Sequence, residues 1–237
     1  SLLTQLKKLN LCNNNITEKG AQAIATALSS MKLLQDLDLG IIFVMGGDFS
    51  YGNNIGATGA QHIATAIAES IHIQSLDLNG CNIGDTGAIA IATSLSNFKQ
   101  LKSLNLTHNN ISDSGAQAIA TSLLPNCKQL QVLYLDFNMI NNKGAQAIAA
   151  AISSLIQLEK LSLSNNNIGH VGAQAIASSL SNLSKLNYFC IDGNPTICDG
   201  TIALVQVLST LPDMDQLFFS NTEVSMILLH KQLLNYY

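Results

Sequence analysis

Arginine and tryptophan are absent from the 237 residues, and Asp, Glu and Lys together make up only 11% of them. A chain with no arginine, few lysines and a formal charge of −4 lacks the clustered basic residues that phosphate recognition needs, which argues against nucleic acid as a partner. Long apolar runs are missing as well. Hydrophobic residues reach 47% and the mean hydropathy is +0.26, yet no stretch attains the roughly 20 apolar residues of a membrane span, so no membrane partner is expected. Paired cysteine spacing is also lacking: Cys12, Cys81, Cys127, Cys190 and Cys198 are odd in number and scattered. They read as free thiols of a reducing, cytoplasmic compartment.

Catalytic signatures are lacking too. The sequence contains no G-x-x-x-x-G-K-[ST] loop, no H-E-x-x-H and no G-x-S-x-G, so phosphate-loop, zinc-protease and nucleophile-elbow chemistry have no carrier. His62, His72, His108, His170 and His230 fall in different segments without metal-ligand spacing. The expectation is a protein without enzymatic activity, cofactor or metal. Cys190-Ile191-Asp192 matches a short C-x-D seen in some bacterial ubiquitin ligases, but it falls on a strand with Ile191 inward, which argues against catalysis.

What the chain does contain is a repeat. Residues 101–123, LKSLNLTHNNISDSGAQAIATSL, carry L-x-x-L-x-L-x-x-N-x-I followed by small and apolar residues in a helical rhythm. Equivalent leucine slots fall at Leu9, Leu37, Leu76, Leu104, Leu133, Leu161, Phe189 and Leu217, spaced by 28, 39, 28, 29, 28, 28 and 28 residues. Within each strand, alternation sends Leu104 and Leu106 inward and Ser103, Asn105 and Thr107 outward. Asn109 sits where the chain turns away, where an amide that donates and accepts can satisfy unpaired backbone groups; Asn14, Asn53, Asn138, Asn166 and Asn194 share its slot, with Cys81 and Thr222 as variants. Ser112 or Asp113 supplies a helix N-cap. Gly115 and Ala116 are expected to let the helix lie close to the strand layer.

One such unit cannot bury its own apolar face, and stacking completes the core. The expected fold is α/β: a right-handed leucine-rich-repeat solenoid of about eight repeats over 1–237, with parallel strands on the concave face and helices on the convex face. Strands are expected near 8–12, 36–40, 75–79, 103–107, 132–136, 160–164, 188–192 and 216–220. An insertion near 41–51, IIFVMGGDFSY, must leave the second repeat as a loop. It reads either as a tolerated excursion folded back on the scaffold or as a partner-binding finger. Residues near 224–237 read as a C-terminal cap. Residues 1–6 resemble the end of a preceding helix, so the chain is expected to be a fragment of a longer one, or to self-associate through its open N-terminal edge.

The 28-residue period with G-A-Q-A-I-A at 20–25, 115–120, 144–149 and 172–177 resembles the ribonuclease-inhibitor-type class of leucine-rich repeats. That class includes the sensing regions of NOD-like receptors, Ran GTPase-activating proteins and eukaryotic-like effectors of intracellular bacteria. The resemblance implies a non-catalytic protein-interaction module, the recognition part of a larger sensor or effector, placed in the cytoplasm or, for a bacterial effector, in the host's. The alternative is a regulator of a small GTPase. It would work without an arginine finger, since no arginine is present.

Outward strand positions name the binding face. Asp36, Asp38 and Asp77 form an acidic patch on neighbouring strands, fit to steer a basic protein partner. Val132, Tyr134, Phe137, Tyr188 and Phe218 add an aromatic stripe to the later repeats, with Tyr134 and Phe137 at the centre of the groove, and His108 and Asp136 complete the candidate partner-binding set.

Overall fold

The computed structural model describes residues 3–41, 52–68, 70, 72–96, 98–195, 199–212 and 216–218. The insertion beyond Ile41 and the capping segment near 224–237 lie outside them. Eight short strands build one parallel sheet in chain order: β1 (Lys8–Asn10), β2 (Asp36–Asp38), β3 (Ser75–Asp77), β4 (Ser103–Asn105), β5 (Val132–Tyr134), β6 (Lys160–Ser162), β7 (Tyr188–Cys190) and β8 (Gln216–Phe218). Each begins where the repeat places it and ends two residues sooner. The ladder still continues as single hydrogen bonds, such as Leu106 N to Tyr134 O at 2.9 Å and His108 N to Asp136 O at 2.8 Å.

Between the strands run α1 (Glu18–Leu28), α2 (Gly56–Ile67), α3 (Gly84–Ser94), α4 (Asp113–Ala118), α5 (Asn142–Ile152), α6 (His170–Leu180) and α7 (Asp199–Leu208). Seven strand–helix units are thus described, with β8 opening an eighth. The 29-residue repeat has a local explanation: after α4 the chain widens into a π turn at Ile119–Leu123 and tightens into a 3₁₀ turn at Leu124–Asn126. A π turn holds one residue more than an α turn, which absorbs the extra residue without shifting β5.

The register is leucine on leucine. Leu9, Leu37, Leu76, Leu104, Leu133 and Leu161 pair across successive strands, then Phe189. From Leu37 to Phe189 these side chains are buried, as are Leu39, Leu78, Leu106, Leu135, Leu163 and Ile191, so these inward slots contribute to one continuous core between sheet and helices.

The Gly-Ala pair makes two close contacts. A Cβ on Gly59 would come within 2.6 Å of Ile55 Cγ2 in its own repeat and 2.9 Å of Ala21 Cβ, and one on Gly172 within 2.8 Å of Ile168 Cγ2 and 2.9 Å of Ala145 Cβ. The small residues therefore also bring each helix close to the preceding helix. Helices so packed still stand about 8–10 Å apart, whereas strands pair at about 4.8 Å. One helix per strand bends the stack, with the strands on the inner side.

The asparagine slot closes each turn as the sequence implied. Asn138 Nδ2 donates to the carbonyls of Leu106, Leu135 and Asp136 at 3.0–3.1 Å. Its Oδ1 accepts from the backbone of Asn109 and Ile111 at 3.1 and 2.9 Å. Asn53, Asn109, Asn166 and Asn194 are wired in the same sense. Cys81 only donates, through Sγ to Leu39 O at 3.1 Å.

Candidate protein-binding face

Three outward rows cross the sheet, at the first strand residue, the third, and the one two further on. A fourth row follows one residue later, on the rim where the chain turns away.

The acidic flank sits on β2 and β3, where Asp38 is in register with Asp77. Its three members are not equivalent. Asp36 is neutralised by Lys8, its register partner on β1, at 2.7 Å. Asp38 accepts from Asn10 Nδ2 at 2.8 Å and from Gly40 N at 3.0 Å. Asp77 accepts from Asn105 Nδ2 at 2.9 Å and from Asn79 N at 2.8 Å. Burial pushes the Asp77 carboxyl above the usual range against the pull of those two bonds, and the charge of Asp38 adds to the rise. The patch is therefore Asp38 and Asp77, with Asp36 removed from it by Lys8.

The aromatic stripe divides into two pairs. Tyr134 and Tyr188 stand on β5 and β7, yet their ring centroids are 6.3 Å apart, edge to face. Two strand spacings exceed that distance, so the rings lean together across Ser162 of β6, which is buried at 4% exposure. Beneath them Asp136 takes hydrogen bonds from Ser162 Oγ, from Ser164 N at 2.8 Å and from Thr107 Oγ1 at 3.4 Å. Ser164 Oγ donates to Cys190 Sγ at 2.8 Å. Burial raises the Asp136 carboxyl and the Cys190 thiol and pushes the Tyr188 hydroxyl up to about 12. Burial beside an inward Ile191 works against reactivity at the Cys190 thiol.

The second pair is on the rim. His108 and Phe137 are exposed, with ring centroids 5.7 Å apart. Both adopt positive φ, 58° and 50°, a conformation that histidine tolerates better than most side chains and that is uncommon for a bulky residue such as phenylalanine. Val132 is half-buried, in register with Ser103 and Lys160. Phe218 ends β8 in register with Cys190, and its side chain lies outside the described residues. Tyr134 and Phe137, expected to form one centre, thus belong to different clusters.

Residue-by-residue reading of the outward rows missed several neighbours. Ser162 and Ser164 are small and polar, and only their place between two tyrosines makes them a floor. Met139, 45% exposed against 48% for Phe137, lies beyond the strand where no alternation rule reaches. Ile41, at the root of the insertion, folds over Gly80: a Cβ there would lie 2.6 Å from Ile41 Cδ1.

Among the described residues no group of three or more His, Cys, Asp or Glu could hold a metal ion. The described cysteines carry free thiols. None of the described helices is long and apolar enough to cross a membrane.

The family described as "Leucine Rich repeat" matches residues 3–25, 69–92, 100–120, 126–149 and 157–177. These are the first, third, fourth, fifth and sixth repeats; the unmatched second carries the insertion. No curated protein sequence matches the chain. Among solved structures, internalin C2 of Listeria monocytogenes is similar over 92% of this chain and 73% of its own, with a TM-score of 0.57 and 21% identity. Leiomodin-1 actin-binding site 2 is similar over 76% of this chain and 94% of its own, with a TM-score of 0.50 and 18% identity. At these identities the likeness is one of fold.

Proposed function

We propose that this leucine-rich-repeat solenoid is a non-catalytic protein-binding module, the recognition part of a larger sensor or effector, and that it takes a basic protein on the outer face of its sheet. The observation that carries the reading is charge segregation. Over the three outward rows from β1 to β7 stand Asp36, Asp38, Asp77, Asp136 and Asp192 against Lys8 and Lys160, and Lys8 already serves Asp36. No other lysine among the described residues occupies these rows. An acidic, rigid, parallel sheet attracts cationic chains, raising association rate and excluding acidic competitors.

The test is capture of partners by the purified protein, followed by affinity measurement with Asp38→Asn and Asp77→Asn together. Affinity should fall several-fold at low salt, and the difference should shrink as salt screens the face. Equal affinity in wild type and variant at every salt concentration would overturn the reading. A captured GTPase whose hydrolysis rate rises would replace it with a regulatory role.

A further inference from the structure

We infer that the rim hollow between Ile41 and His108 seats one large apolar side chain of the partner, with Phe137 and Met139 extending its apolar border. The inference rests on the reading of the sheet face as a basic-protein site and assigns the anchor that a purely electrostatic face lacks.

The first observation is conformational. The rim residue turns through positive φ in six repeats, and four of these place there the residue types that tolerate it best: Asn13 (54°), Gly80 (66°), Asn165 (51°) and Gly193 (67°). His108 and Phe137 occupy the same position in adjacent repeats, at 58° and 50°. The backbone cannot relax, because His108 N and Phe137 N bond to Asp136 O and Ser164 O at 2.8 Å each. Strained positions of this kind are held by their surroundings and cluster at functional sites. For Phe137, the bulkier of the two, packing offers little compensation, since its side chain is 48% exposed.

The second observation is the space beside them. A hollow of about 160 Å³ is lined by Ile41, Gly80, Asn82, His108 and Asn110; a cavity of about 150 Å³ is enough for a benzene-sized group. Ile41, packed over Gly80, gives it an apolar wall. Asn110 Nδ2 donates to Asn82 Oδ1 at 2.9 Å, and Asn82 Nδ2 to Asn54 Oδ1 at 3.2 Å. The next rung of this amide ladder is Met139, which carries no amide, so the ladder ends at Asn110 beside the hollow. Asp77 precedes Gly80 by three residues, and Asp136 directly precedes Phe137. A chain whose cations lie over those carboxylates therefore passes the hollow, and the occupant is a basic segment carrying one large apolar residue.

The experiment uses a display library of random dodecapeptides, selected on the intact protein and on His108→Asn and Phe137→Asn, which install the residue that other repeats place on the rim. Wild type should enrich lysine- and arginine-rich peptides bearing a leucine, methionine or aromatic residue at a fixed offset. Both variants should lose that apolar preference by about tenfold while keeping the preference for basic residues. An unchanged apolar preference in both variants, or none on wild type, would overturn the inference and leave the acidic-face reading standing. Selection of peptides without basic preference would overturn both.

Discussion

Asp113 caps a helix that is not its own: its Oδ1 lies 2.8 Å from the backbone nitrogen of Gly144, in the first turn of the next repeat's helix, and also accepts from Asn141 N at 2.8 Å. Asp85 does the same for Ser112 N and Gly115 N at 2.8 and 3.0 Å. Asn142 does so for Gly169 N and Gly172 N, both at 2.9 Å. The donors are orphan N–H groups of a helix start, so each cap ties two repeats together. Ser112, by contrast, caps its own helix through Ser114 N at 3.4 Å.

Replacing Asp113 by alanine should therefore destabilise the solenoid by about 1 kcal/mol, and Asp113→Asn should lose less, since Asn142 performs the task with an amide. Urea denaturation of the two variants decides it. Equal loss in both would show that charge, and not the accepting oxygen, matters.

At the turn slot, Cys81 donates as the asparagines do but offers no oxygen to the backbone N–H groups of Asn53 and Ile55, the counterparts of those that Asn138 satisfies. Cys81→Asn should raise stability by about 1 kcal/mol. Asn138→Ala, which strands several buried backbone groups at once, should lower it by roughly 3 kcal/mol or more. Thermal unfolding of both checks the pair. A destabilised Cys81→Asn protein would mean that the neighbouring insertion has no room for an amide.

The inward leucines were legible because two periods coincide, two residues along a strand and 28 along the chain, and the structure pairs them leucine on leucine. The turn asparagines were legible because their chemistry is local. What escaped the sequence are contacts between repeats. Asp113 looks like a cap for the helix it starts, and only the stacking offset hands it to the next one. Lys8 and Asp36 share a row, so counting positions across repeats would have disclosed their ion pair. Likewise, aligning Asn13, Gly80, Asn165 and Gly193 exposes a left-handed rim position and makes His108 and Phe137 conspicuous. The meeting of Tyr134 and Tyr188 had no such signal, because it depends on side chains leaning across β6.

Asp77 and Asp136 make stability depend on pH in an unusual sense. Burial raises both carboxyls above their ordinary values, so the folded state binds protons more tightly than the unfolded chain does. Their contribution is full below the unfolded value of about 3.9 and is lost as pH rises through the folded values. Relative to the Asp77→Asn, Asp136→Asn double variant, the wild type should gain stability between pH 7 and about pH 4. Urea midpoints across that range provide the measurement. A parallel pH dependence in both proteins would show that the two carboxyls are ordinary.

Phe137 supplies the sharpest test of strain on the rim. Truncation to alanine or to glycine removes the same ring and the same contact with His108, so the two variants differ only in backbone preference. In ordinary strand or helix positions glycine is the poorer residue by roughly 0.5–1 kcal/mol. At φ 50° the order should invert, because a Cβ costs about 1 kcal/mol or more in the left-handed region and glycine has none. Phe137→Gly should thus unfold at higher urea than Phe137→Ala, with Phe137→Asn between them, and His108 variants should repeat the order. If alanine matched or exceeded glycine at both positions, the rim residues would carry no strain, and the argument that they are kept there for a ligand would lose its first support.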